Sequence, residues 1–111
     1  MKIKAIFHID EIEKWNLLIG NVENLLNSLE NMDYEIEILA NSKAVIQYKK
    51  DNDNSKLENL SNRKVDIIAC NNALNSQRIT KEMLPHYVRV VPVGVKELIE
   101  KQFDGYAYIK P

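Results

Sequence analysis

Short apolar runs alternate with segments of helical periodicity along the whole 111-residue chain. The first run, Lys2 to Ile9, is apolar on both faces, which is typical of a strand buried in a parallel sheet. From Trp15 to Met32 apolar residues recur every three or four positions, as in an amphipathic helix. Further strands are predicted at 34–40, 65–69, 88–91 and 106–109, with helical segments between them. This alternation predicts one α/β domain over residues 1–111, with a five-stranded, mainly parallel sheet between two helical layers.

Two details of this pattern make specific predictions about exposure. In the second strand, Ile36 and Ile38 alternate with Glu35 and Glu37, so we expect one face of this strand to be partly exposed, at an edge or under a partner. In the last helix, the pattern predicts that Val95, Leu98, Ile99 and Phe103 point inward. Helix starts are predicted from the capping-box pairs Asp10/Glu13 and Ser55/Glu58.

Composition excludes several classes of function. Apolar residues make up 45% of the chain and the formal net charge is −1, so nothing favours nucleic acid or an anionic membrane as a partner. No run approaches the roughly 18 apolar residues that a membrane helix needs. A single cysteine, Cys70, fits a reducing compartment, and we expect a cytoplasmic protein. Without metal-ligand spacing or a glycine-rich loop, we expect neither a metal nor a cofactor.

Ligands of open parallel sheets bind at the carboxyl ends of the strands. In this chain those ends carry His8, Asn41, Cys70 and Asn72. Cys70 precedes a predicted helix, whose free amides favour a reactive thiolate, although a cysteine there also serves as a small buried apolar residue. His8 is either an acid, a base or a hydrogen-bond donor for a ligand, or a histidine bound to a backbone carbonyl. Asn41 and Asn72 are either ligand-binding residues or helix caps.

Several segments together carry a resemblance to a known family. They are Ala69 to Leu74, Arg78-Ile79, Val90 to Val95 and Gln102 to Pro111, with Phe7-His8, Trp15 and Asn21 to Leu26 nearer the start. In order and spacing, these segments resemble the DsrE/DsrF-like family over nearly the whole chain.

The resemblance implies a flavodoxin-like three-layer fold and a homo-oligomer, a trimer or a hexamer. Well-understood members relay sulfur as a cysteine persulfide, and Cys70 stands at the position of their reactive cysteine. The resemblance therefore implies a sulfur carrier or sulfurtransferase that acts with a sulfur donor or acceptor protein, with His8 and Asn72 lining the site. Many relatives have no established activity, so the alternative is a non-catalytic module that binds a small molecule or has a structural role. Ser42 departs from the glycine that relatives often carry after the second strand.

Overall fold

A computed structural model describes residues 2–111 of the chain. Its five strands are all parallel and lie side by side in the order β4-β3-β2-β1-β5. The strands are β1 (Ile3–Ile9), β2 (Tyr34–Ala40), β3 (Asp66–Cys70), β4 (Val88–Val91) and β5 (Ala107–Ile109). The helices are α1 (Trp15–Leu29), α2 (Ser55–Asn62), α3 (Asn71–Ser76) and α4 (Gly94–Phe103), with 3₁₀ segments at Ile12–Lys14, Ser42–Tyr48 and Lys81–Met83. The predicted three-layer α/β fold is confirmed.

The two faces of the sheet are covered very differently. On one face, α1, α2, α3 and the 3₁₀ segment Ser42–Tyr48 enclose the larger hydrophobic core. Buried hydrogen bonds join its parts, since Trp15 Nε1–H donates to the Ala44 carbonyl at 2.9 Å and the Tyr48 hydroxyl donates to the Ile68 carbonyl at 2.9 Å. The opposite face has a smaller core, in which Leu98 is the residue contributed by α4. The main cover of this second face is therefore α4, a helix of ten residues.

The predicted edge position of the second strand is wrong. β2 is the central strand of the sheet, between β1 and β3. Glu37 is 4% exposed, because α4 crosses over it and supplies Lys101 as an ion-pair partner. Glu37 thus forms an ion pair under a helix, whereas Glu35, on the same face, is 44% exposed and pairs with Lys2.

The predicted inward stripe of the last helix is also mostly wrong. Leu98 is buried, whereas Val95, Ile99 and Phe103 are 58%, 48% and 89% exposed. A single helix on a flat sheet buries only a narrow stripe, and here that stripe runs through Gly94 and Leu98. Residues spaced four apart at 95, 99 and 103 form a second apolar stripe that faces away from the sheet.

The predicted capping boxes do not form either. α1 is preceded by the 3₁₀ turn Ile12–Lys14, and neither α1 nor α2 has a side-chain hydrogen bond at its N-cap. Asp10 instead accepts a hydrogen bond from Lys110 Nζ at 3.0 Å, since the chain ends beside the carboxyl end of β1. Within residues 2–111, no helix has both the length and the apolar character needed to cross a membrane.

Candidate functional site

A groove opens at the carboxyl end of the sheet, between the end of β3 and the start of α4. Its volume is about 480 Å³, and it is lined in part by Asn41, Cys70, Asn72, Val93 and Gly94. Three of the four residues predicted to form a site therefore share one groove. Among the described residues that line it, Asp10 carries the only charge, and the Lys110 ammonium bound to that carboxylate lowers the pKa of Asp10.

Cys70 lies at the floor of this groove. It is the last residue of β3 and directly precedes α3, and the residue is 6% exposed. The Gly94 N–H, at the first turn of α4, donates to Cys70 Sγ at 3.4 Å. A backbone N–H at a helix start carries partial positive charge and stabilises a negatively charged sulfur.

Gly94 allows this close approach because it has no side chain. A Cβ at position 94 would lie 3.1 Å from Cys70 Cβ and 3.4 Å from Cys70 Sγ. The sequence pattern indicated Gly94 only as a residue near the start of a helix, and its contact with Cys70 follows from the path of α4 back over the sheet.

His8 is held by two side chains rather than by a backbone carbonyl, so that interpretation of His8 is wrong. The Tyr108 hydroxyl lies 2.7 Å from His8 Nδ1, and Asn41 Oδ1 lies 3.1 Å from His8 Nε2. Because Oδ1 can only accept, Nε2 donates to Asn41, and the Tyr108 hydroxyl is the partner of Nδ1. The network fixes the orientations of the His8 ring and of Asn41.

Asn41 connects this network to the groove. Asn41 does not cap the 3₁₀ segment that follows it, because no side-chain hydrogen bond forms there. His8 is two strands away from Cys70, which corresponds to about 12 Å between their Cα positions from strand spacing and rise. His8 therefore reaches the groove through Asn41 and not by direct contact with Cys70. Asn72 is exposed at the start of α3, and it makes no side-chain cap there.

Sequence reasoning missed Tyr108 as a part of the site. The residue lies in β5, which pairs with β1 so that Tyr108 is opposite Ile6. That pairing joins the last strand to the first, and nothing in the local pattern of residues 106–109 reveals it. The aromatic side chain in a short terminal strand is the only signal that the sequence offers.

Ser42 adopts a backbone conformation that glycine adopts more easily. Its φ is 52°, in the left-handed region, and it lines the groove beside Asn41. A side chain in this conformation costs on the order of 1 kcal/mol. Ser42, at a position where relatives often carry glycine, therefore keeps the backbone geometry that favours glycine and adds a hydroxyl group to the groove.

Metal binding has no support in the described part of the chain. There, no group of three or more His, Cys, Asp or Glu side chains is placed to hold a metal ion.

The fold and the groove define a class of protein: a small three-layer α/β domain with one cysteine at the carboxyl rim of a parallel sheet. The DsrE/DsrF-like family model matches residues 21–111. The chain belongs to the DsrE/DsrF-like family, which is known broadly for sulfur relay.

Solved structures agree with this assignment. The protein of unknown function MTH1491 from Methanobacterium thermoautotrophicum is 34% identical, with a TM-score of 0.90, over 98% of this chain and 99% of that one. The YchN protein from E. coli has a TM-score of 0.81 at 15% identity, over 98% of this chain and 99% of its own, and this likeness concerns the fold alone. The comparison with curated proteins gives no match.

Proposed function

We propose that this protein carries sulfane sulfur as a persulfide on Cys70. The observation that supports the proposal is the position of Sγ, which accepts the Gly94 N–H at 3.4 Å at the floor of an open groove. The Cys70 thiolate attacks the sulfane sulfur of a donor persulfide, the donor's S–S bond breaks, and the donor leaves as a thiolate. An acceptor thiolate then attacks the outer sulfur and releases Cys70 as a thiolate. Electrons balance without any added oxidant or reductant.

Each wall of the groove has a part in this chemistry. The Gly94 N–H stabilises negative charge on Sγ both before attack and after release. Asn41 and Asn72 offer amide groups to the outer sulfur or to a polar donor, and the His8–Tyr108 network fixes the orientation of Asn41. Val93, at 43% exposure, offers apolar surface at the mouth. The proposed donor or acceptor is a protein with its own reactive thiol.

The second candidate is a module that binds a small molecule without turnover. The low exposure of Cys70, 6%, favours this alternative, because a thiol so deeply placed also serves as an apolar part of the floor. In that case the neutral polar rim of the groove binds the ligand and Cys70 only packs against it.

Intact mass measurement after incubation with thiosulfate and a sulfurtransferase tests the persulfide. We expect a gain of one sulfur atom in the native protein and none in Cys70→Ser. Since Cys70 is the only cysteine, the matched control moves the thiol: Ser28→Cys in the Cys70→Ser background places it on the exposed surface of α1. A sulfur adduct on the native protein alone supports the proposal. Equal adducts on both thiols, or no adduct on Cys70, contradict it.

We also propose a homo-oligomer, a trimer or a hexamer. The exposed apolar stripe of α4, formed by Val95, Ile99 and Phe103, supports it, because contiguous apolar patches on soluble proteins usually mark interfaces. Light scattering should report a mass several times that of the chain, and Phe103→Ser should lower it. The control is Leu17→Ser, which removes a half-exposed apolar residue from the opposite layer. A monomer at micromolar concentration, or equal effects of the two variants, contradicts this interface.

A persulfide carrier needs a thiol that stays reduced between cycles. The proposed site of action is therefore the cytoplasm.

A further inference from the structure

Glu37 is a carboxyl group in an unusual position under α4. Its side chain is 5% exposed, and Lys101 Nζ lies 3.3 Å from Oε2. Arg89 Nη2 lies farther away, 3.9 Å from the same oxygen. The other oxygen, Oε1, is buried without a hydrogen-bond partner. An unpaired buried acceptor is costly, so this oxygen requires an explanation.

The surrounding charges do not supply the missing partner. Arg89 donates to Asp66 at 2.8 Å and 3.2 Å and to Glu97 at 3.4 Å, so its hydrogen bonds go to these two carboxylates and not to Glu37 Oε1. Three carboxyl groups, Glu37, Asp66 and Glu97, therefore meet two cations, Arg89 and Lys101. One negative charge is left over in this cluster, in which Glu37 and Glu97 are the least exposed carboxyl groups, at 5% and 11%.

A bound proton explains both the unpaired oxygen of Glu37 and the excess negative charge of the cluster. On Glu37 it turns an unpaired acceptor into a donor, and the neighbouring acceptor is the Glu97 carboxyl, which faces the same Arg89 Nη2 at 3.4 Å as Glu37 does at 3.9 Å. The pKa of Glu37 is raised from 4.5 to about 7, because burial and, to a lesser extent, the neighbouring Glu97 carboxyl outweigh the Lys101 ammonium, which lowers it. Charged and titratable groups also lie near this site on other elements: Lys4 of β1 and Lys101 both contact the ring of Tyr106, and the Tyr106 hydroxyl donates to Glu35 of β2 at 3.4 Å.

We propose that Glu37 and Glu97 share a proton beneath α4, and that loss of this proton loosens α4 on the sheet and displaces Gly94 from Cys70. The carboxyl pair and the contact between Gly94 and Cys70 are connected through α4. Glu97 and Lys101 lie in the middle and at the end of α4, and Gly94 is its first residue, about 10 Å along the axis from Lys101. Because Leu98 of α4 is the helical residue in the small core of this face, a second carboxylate charge beneath α4 acts on a weakly packed helix, with Lys101 and Arg89 as the opposing cations. This inference does not depend on persulfide chemistry.

The direction of the effect follows from the raised pKa of Glu37. The folded protein binds the proton on Glu37 more tightly than the unfolded chain does. The stability that this proton contributes is therefore full below pH 4.5 and is lost as pH rises through about 7. We therefore expect α4 to pack more tightly on the sheet at pH 6 than at pH 8.

Carboxyl ¹³C and amide ¹⁵N NMR titration between pH 4 and 9 tests the proposal. We expect the Glu37 carboxyl to titrate near pH 7 and the Gly94 amide to shift with the same midpoint. In Glu37→Gln the Gly94 shift should vanish, whereas Glu100→Gln, which removes an exposed carboxyl from the same helix, should leave it unchanged. A Gly94 amide that does not titrate, or that titrates equally in Glu37→Gln, overturns the proposal.

Two further variants keep the test decisive if Glu37→Gln does not fold. Glu97→Gln removes the neighbouring carboxylate and should move the Glu37 midpoint down. Lys101→Met removes the opposing cation and should move the midpoint up. A midpoint that stays fixed in both variants also overturns the shared proton.

Discussion

Gly94→Ala tests whether the first residue of α4 packs as closely against Cys70 as it does in the structure. The added Cβ would lie 3.1 Å from Cys70 Cβ, 3.4 Å from Cys70 Sγ and 3.6 Å from Leu39 Cδ2. Cys70 Cβ is fixed by the backbone of β3, so it cannot move aside by rotation about χ1. The start of α4 must shift outward by a few tenths of an ångström, and overpacking of this kind typically costs about 1–3 kcal/mol.

A smaller gain offsets part of that cost. Replacing glycine by alanine inside a helix stabilises by about 0.5–1 kcal/mol, and by less at a first helical position such as 94. The net expectation for Gly94→Ala is a loss of about 1–2 kcal/mol. Urea unfolding followed by circular dichroism measures it as a lower midpoint with an unchanged slope.

Gly20→Ala is the matched control. Gly20 lies inside α1, and a Cβ there would have nothing within 4 Å. Only the helix-propensity gain remains, so we expect this variant to be more stable than the native protein by about 0.5–1 kcal/mol. Opposite signs for the two variants support the reasoning. If Gly94→Ala is as stable as Gly20→Ala, the close packing of α4 on Cys70 is refuted.

Two other substitutions test hydrogen bonds of the structure. Tyr48→Phe leaves the buried Ile68 carbonyl without its donor at 2.9 Å and should cost about 1–3 kcal/mol in urea unfolding, and no loss would mean that this bond is not formed. Tyr108→Phe should change the ¹⁵N shift of His8 Nδ1, because that nitrogen loses its hydroxyl partner at 2.7 Å, with less than about 1 kcal/mol of stability lost at this exposed site. An unchanged His8 ¹⁵N spectrum would contradict the hydrogen bond between His8 and Tyr108.

Local periodicity was enough to predict the elements of the fold, because each strand and helix buries its apolar residues at its own period. The run Lys2 to Ile9 and the stripe from Trp15 onward gave β1 and α1 nearly at their observed bounds. The position of β2 could not be predicted in this way. A strand with Glu35 and Glu37 on one face fits an exposed edge as well as a central strand with ion pairs above it, and the choice depends on where α4 lies.

The fine structure of the site depends equally on partners that are distant in the chain. Asn41 and Asp10 are residues that favour caps, yet Asn41 bonds to His8 and Asp10 to Lys110. A cap needs only the local backbone, whereas the Asn41 contact needs β2 to pair with β1 and the Asp10 contact needs β5 to return beside β1. Sequence reasoning therefore located the rim and its cysteine, and the network that orients Asn41 followed only from the strand order.

The pairing of the strands explains why the unusual residues of this chain occur together. Register pairs His8 with Leu39 and Leu39 with Ile68, and paired residues of a parallel sheet point to the same face. Alternation then places Glu37 and Cys70 on that face too, since each is two residues from a paired position. This is the face that α4 covers, with a core much smaller than the one on the opposite side. Cys70 also packs into the larger core, so the thiol is buried by both layers and not by α4 alone, and Gly94 of α4 supplies the N–H that it accepts.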